Sequence, residues 1–235
     1  MIKKLCILHI FMGVLLPLIV SGCRSTPEPL IQHYASQFNN VDLKYYLLLP
    51  ASAGANRKIP LLILFHGVGE DALDYMELFE DFSRDQQTAL LSLEINIDKR
   101  VNEADFLSHA EVLIKQVVRQ NNIDGAHVML CGVSAGGILA QNLMLMNPNH
   151  YSRLLIISAP LVESALWDKA RDVFFPKLFI VYGENDEQVD RMEMEKDLEL
   201  LRTYGVIGAE YRVPSAGHEE WREWLEPIWV WLSEE

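Results

Sequence analysis

Cysteine is nearly absent from this 235-residue chain, which has only three: Cys6, Cys23 and Cys131. Cys6 lies inside an amino-terminal apolar run and Cys23 at its end, so Cys131 alone is left in the body of the chain. No intramolecular disulfide framework is then available, and Cys131, in an apolar stretch, reads as a small buried hydrophobe. Basic residues are scarce as well. The chain sets 20 Lys and Arg against 33 Asp and Glu, a formal net charge of −13. With no polybasic stripe for phosphate backbones, no nucleic-acid partner is expected. No His, Cys, Asp or Glu spacing suits a metal, so none is expected. The segment Gly132-Val133-Ser134-Ala135-Gly136-Gly137 lacks the glycine pattern and acidic partner of a dinucleotide site, so no cofactor is expected either. Internal repeats and low-complexity tracts are also missing.

The apolar run opens the chain. Met1-Ile2-Lys3-Lys4 is basic, Leu5 to Val20 is uncharged and apolar apart from His9 and Pro17, and Val20-Ser21-Gly22-Cys23 places small residues before a cysteine. This reads as a secretory signal, too short and too poorly flanked for a permanent span. The tetrapeptide resembles the lipobox of bacterial lipoproteins. That resemblance implies cleavage before Cys23, a diacylglyceryl group on its thiol and a further acyl chain on the new amine. More than one buried chain makes attachment stable. Arg24 stands where an aspartate would signal retention at the inner membrane. The expected location is therefore the cell envelope, anchored to the outer membrane and facing the periplasm or exterior. On this reading residues 1–22 are removed, 23–37 are the lipidated cysteine and an extended tether, and 38–235 form one domain. Losing Lys3 and Lys4 takes the basic count from 20 to 18 against 33 acids, a net charge of −15. Such a surface is repelled by anionic headgroups, so the lipid must do the anchoring.

Half of the chain is apolar (50%), enough for a sizeable core. Strand-like and helix-like stretches alternate along it. Val41 to Leu49, Ile59 to Phe65 and Ala89 to Ile97 read as strands, the second being a continuous apolar run suited to burial on both faces. Phe106, Ala110, Leu113, Ile114, Val117 and Val118 recur at helical spacing before a turn at Asn121-Asn122. Val128 to Val133 is a strand, and Ile138, Leu139, Leu143 and Met146 mark the helix after it. Further strands are expected at Arg153 to Ser158, Lys177 to Tyr182 and Ile207 to Val213. Such alternation implies an α/β fold with a mostly parallel central sheet, helices on both faces, and chemistry at the carboxyl ends of the strands.

The most informative segment is Gly132-Val133-Ser134-Ala135-Gly136, a G-x-S-x-G between an apolar strand and a helix. A sharp turn there lifts the serine above the sheet edge, and only small residues at 132 and 136 let the backbone pass. With the alternating elements, this resembles the α/β-hydrolase fold, whose nucleophile, acid and histidine follow in that chain order. The resemblance implies Ser134 as nucleophile. It implies Asp186 as the acid, in Gly183-Glu184-Asn185-Asp186, and His218 as the base, in the Gly217-His218 pair after the last strand. A serine hydroxyl is a poor nucleophile until an imidazole takes its proton, and a carboxylate on the other ring nitrogen fixes the tautomer. Glu184, Glu187 and Asp190 remain alternatives for the acid. Phe65-His66-Gly67-Val68-Gly69 resembles the family's His-Gly loop, which implies oxyanion donors at the N–H groups of Val68 and Ala135, with Gly67 allowing the turn. His66 reads as a loop organiser. Glu70-Asp71 departs from the apolar or glycine-rich continuation of many lipases and suits a helix N-terminus. His33, His109, His127 and His150 read as structural.

Too few residues separate Pro160 from Lys177 for a lid domain. Leu161, Val162, Leu166, Trp167, Phe174 and Phe175 form either a small flap over Ser134 or a short helix packed on the body. Trp221, Trp224, Leu225, Ile228 and Leu232 share one helical face that reads as core, with Pro227 kinking that helix or beginning a second one. The chain is most similar to compact esterases of the phospholipase/carboxylesterase and dienelactone-hydrolase-like branches. That similarity implies a serine hydrolase that cleaves small-molecule or polymer-end carboxylic esters through an acyl-serine. Peptidases, thioesterases and deacetylases use the same elbow, and a catalytically silent envelope-binding protein is the alternative of another class.

Overall fold

The computed structural model describes residues 30–35, 42–51, 53, 57–95, 103–162, 167, 177–203, 208–218, 222 and 225–233. Eight strands form one sheet: β1 (Leu30–Ala35), β2 (Asp42–Leu48), β3 (Ile59–Phe65), β4 (Ala89–Leu93), β5 (Ile123–Val133), β6 (Arg153–Ile157), β7 (Lys177–Gly183) and β8 (Gly208–Val213), in the order β1-β2-β4-β3-β5-β6-β7-β8. The first two pairings are antiparallel and all the others parallel. The helices are α1 (Ala72–Glu77), α2 (Glu80–Gln86), α3 (Glu103–Gln120), α4 (Ala135–Met146), α5 (Arg191–Thr203) and α6 (Leu225–Ser233).

The pleat divides the apolar residues of the central strands between two cores. Leu61, Ile63, Phe65 and Leu130 face a cluster completed by α3, α4 and α5. Leu62, Leu64, Met129, Cys131 and Val133 face a second cluster completed by α1, α2 and α6. This explains the unbroken hydrophobic reading of β3: both faces are covered, and Leu61 through Phe65 are fully buried. The α/β sheet expected from the alternation is thus present, with the α/β-hydrolase arrangement of helices on both faces.

One boundary is corrected. The tether expected through residue 37 runs into the sheet, because Leu30 to Ala35 pair with Leu47 to Asp42 along the edge. The segment 30–35, with Gln32 and His33 in its middle, lacks the continuous apolar run that marks the central strands, and it is held by backbone pairing to β2. The signal segment, Cys23 and the start of the tether lie outside the described residues. So does most of 163–176, although Trp167 is buried in the α3–α5 core and Leu161 and Val162 pack against it, favouring the packed reading for those three. Pro227 falls in the first turn of α6, where its missing N–H costs nothing. Ile228 and Leu232 are buried in the second core and Leu225 packs against it, so these three residues of the expected face are core. The half-buried Trp231 stacks on Phe179 with centroids 5.1 Å apart, and Arg153 lies over its ring. Trp221 and Trp224 lie outside the described residues.

Candidate active site

Parallel strands β3, β5, β7 and β8 deliver four loops to one edge of the sheet. Ser134, directly after β5, has φ 51° and ψ −122°, a left-handed backbone that a non-glycine residue rarely adopts. Its amide donates to Ile157 O at 2.9 Å, which fixes the turn against β6. The glycines explain how the turn closes. A Cβ at Gly132 would sit 2.2 Å from Gly136 O, and one at Gly136 would sit 2.2 Å from Phe65 O and 2.5 Å from His66 O. Strand β3 and the start of α4 therefore meet backbone to backbone.

The second pair of loops is drawn together in the same way. A Cβ at Gly183 would lie 2.3 Å from Ala216 O. Across this contact Glu184 N donates to Val213 O at 3.0 Å and Asn185 N to Ala216 O at 2.9 Å. Asp186 and His218 thus face each other: His218 Nδ1 lies 2.9 and 3.0 Å from the two carboxylate oxygens, and Nε2 lies 3.0 Å from Ser134 Oγ. The Asp186 side chain is 1% exposed and that of His218 16%. Asp186 Oδ1 also accepts from the amides of Gln188 and Val189, which hold the carboxylate in place. With the carboxylate on Nδ1, that nitrogen carries the proton, and Nε2 presents its lone pair to the serine. Among the four acids considered, Asp186 is the one in contact with His218. Glu184 and Glu187 are exposed, and Asp190 caps α5 by accepting from Met192 N.

The loop after β3 lies across the elbow. Asp71 caps α1 by accepting from Leu73 N, as expected of an acid at a helix N-terminus. Glu70 turns back instead: its Oε2 accepts from Gly67 N–H at 2.7 Å, and its other oxygen pairs with Arg222. Sequence reasoning placed Glu70 only at a helix N-terminus and did not single out Arg222, because a pairing across 152 residues leaves no pattern in the sequence. His66 is buried; its Nε2 accepts from Ile95 N at 2.9 Å and its Nδ1 lies 2.8 Å from Gly67 O, so both ring nitrogens serve the loop. The Val68 side chain is 86% exposed. Ala135 is the first residue of α4, and its N–H has no acceptor within the helix.

Cys131 is buried beside this site, with Tyr75 Oη 3.3 Å from its sulfur. Burial pushes its thiol up to about 12, against a smaller opposing effect of the Tyr75 hydrogen bond, so it is no nucleophile at neutral pH. Among the described residues no group of three or more His, Cys, Asp or Glu could hold a metal. Away from the site, His127 lies beside Asp124 and His150 beside Glu111. A cavity of about 270 Å³ lies between Glu111 and Tyr151, at the opposite end of the sheet from Ser134.

A family model described as Phospholipase/Carboxylesterase matches residues 91–234. The chain belongs to that family. As a member of that family it is a hydrolase acting on ester bonds. No curated protein matches it in sequence. Its fold is shared with solved serine hydrolases at low identity. Fluorophosphonate-binding serine hydrolase F of Staphylococcus aureus is 15% identical, with a TM-score of 0.74 over 89% of this chain and 99% of that one. The S-formylglutathione hydrolase of Agrobacterium tumefaciens is 12% identical, TM-score 0.72, over 88% and 95%. A ferulic acid esterase of Anaeromyces mucronatus is 15% identical, TM-score 0.68, over 88% and 90%.

The tight contact at Gly136 makes a direct prediction. Gly136→Ala must push two carbonyls aside and is expected to cost about 3 kcal/mol or more. It should melt well below wild type by circular dichroism; an alanine variant melting within about 2 °C of wild type would contradict the described packing.

Proposed function

We propose that this phospholipase/carboxylesterase family member hydrolyses carboxylic esters through an acyl-serine intermediate, with Ser134 as nucleophile, His218 as general base and acid, and Asp186 as the acid that orients it. The single observation that carries this is the chain of hydrogen bonds from Ser134 Oγ through His218 to Asp186, at 3.0 and 2.9 Å, ending on a strained elbow. Attack on the ester carbonyl moves the hydroxyl proton to His218 Nε2, and Asp186 stabilises the imidazolium so formed. The oxyanion is met by the N–H groups of Val68 and Ala135. Collapse expels the alcohol with the proton from His218. Water then attacks the acyl group, losing its proton to the same nitrogen, and Ser134 is regenerated.

The reading extends to substrate and place. Val68 is exposed and follows Gly67, the residue that packs beside Ser134, which supports contact with an apolar part of the substrate. A solved relative in fold binds fluorophosphonates, one is named for the thioester S-formylglutathione and another for ferulic acid esters, which supports small acyl esters as the substrate class and keeps thioesters in the test. The lipobox-like Val20-Ser21-Gly22-Cys23 supports anchoring through Cys23 in the cell envelope, at the outer membrane.

The test of the chemistry is turnover of p-nitrophenyl esters of rising acyl length beside thioester, acetylated-sugar and peptide substrates. Ser134→Ala and His218→Ala should be inactive on esters while melting close to wild type. Asp186→Asn should lose a factor of about 10⁴ in kcat, the range seen when a triad acid is neutralised. A near-normal Asp186→Asn beside a dead Asp190→Asn would overturn the acid assignment, and a folded wild type that resists fluorophosphonate labelling would favour a silent binding protein. For the anchor, palmitate labelling in a bacterial host should follow Cys23 and vanish in Cys23→Ser; persistence of label in that variant would refute it.

A further inference from the structure

We infer that Glu70 is a positioning residue for the oxyanion loop and that, through Arg222, it couples this loop to the one bearing His218. The inference rests on the esterase reading above and adds a charge pair to it. Both polar groups of Gly67 are held. Its N–H donates to Glu70 Oε2 at 2.7 Å, while its carbonyl faces His66 Nδ1 at 2.8 Å and accepts from Glu70 N at 3.3 Å. Because Ile95 N–H occupies His66 Nε2, the ring proton sits on Nδ1 and is donated to Gly67 O. The peptide between Gly67 and Val68 is planar and trans, so its N–H points opposite to its C=O. The Glu70 carboxylate fixes the peptide before Gly67, and His66 Nδ1 with the Glu70 main-chain N–H fixes the peptide after it, so together they hold the backbone angles of Gly67 and thereby aim the Val68 amide.

The carboxylate is also close to the chemistry. A methyl group at Gly67 would lie 3.1 Å from Glu70 Oε2 and 3.6 Å from Ser134 Cβ, so acid and nucleophile flank the same small residue. An uncompensated negative charge there opposes the oxyanion that forms during attack. Arg222, just beyond His218 in the chain, pairs with the other oxygen and offsets that charge. The pair spans the two loops that must act together. Fold stability alone is a weak reason for it, since the Glu70 side chain is 25% exposed and that of Arg222 44%, and such pairs contribute little to stability. Capping of α1 is not the reason either, because Asp71 does that.

The experiment is a charge cycle on the full chain: Glu70→Ala, Glu70→Gln, Arg222→Gln and the double variant Glu70→Gln/Arg222→Gln, with kcat and KM on p-nitrophenyl acetate and melting temperatures for each. Glu70→Ala should lower kcat by about 10- to 100-fold with KM within about threefold, less than the loss of an oxyanion donor itself. Glu70→Gln, whose amide oxygen still accepts from Gly67 N–H, should retain more activity than Glu70→Ala. Arg222→Gln should be slower than the double variant, in which the stranded carboxylate is gone. A Glu70→Ala enzyme within about twofold of wild-type kcat, a loss confined to KM, or a double variant no faster than Arg222→Gln would overturn the inference. Wild-type protein that neither turns over the ester nor takes a fluorophosphonate would instead defeat the esterase reading beneath it.

Discussion

Everything at the site depends on one contact made without side chains. Where α4 begins, Gly136 presses against the carbonyls of Phe65 and His66, leaving no room for even a methyl group. That contact forces Ser134 into its positive-φ turn and lifts its hydroxyl above the sheet. It also brings the amide at the start of α4 beside the loop that leaves β3. The proposed nucleophile and oxyanion donors are thus placed by one packing constraint, and the strain at Ser134 is sustained by the buried sheet around it.

The opposing half is built by a second close approach. Gly183 against Ala216 O draws the loops after β7 and β8 together, and backbone hydrogen bonds between them carry Asp186 to His218. Only then does the imidazole span from a carboxylate to a hydroxyl in another part of the chain. Glu70, in the loop after β3, and Arg222, beyond His218 in the chain, pair between the two halves. The arrangement is preorganised, which is how a serine hydrolase supplies most of its electrostatic stabilisation.

Much of this was legible in the sequence because the decisive signals are local. The strand β3 was readable from Ile59 to Phe65, since burial on both faces leaves an unbroken apolar run. The elbow was readable because G-x-S-x-G fell between a strand and a helix. Strand β1 was not: Leu30 to Ala35 are held at the sheet edge by backbone pairing, which imprints no continuous apolar run on the sequence. The preference for Asp186 over Glu184, Glu187 and Asp190 rests on the likeness of Gly183-Glu184-Asn185-Asp186 to a family turn, because which acid faces His218 depends on how two loops cross. Glu70 was legible only as an acid before a helix. Its turn back to Gly67 is a local contact that no short motif announces, and its pairing with Arg222, 152 positions away, is a long-range outcome of folding.

The most direct test of the account is the crystal structure of the protein after inactivation by a fluorophosphonate. The account predicts phosphorus bonded to Ser134 Oγ, a phosphoryl oxygen within hydrogen-bond reach of the Val68 and Ala135 amides, and His218 still on Asp186. Phosphorus on another residue, or a phosphoryl oxygen turned away from both amides, would contradict it.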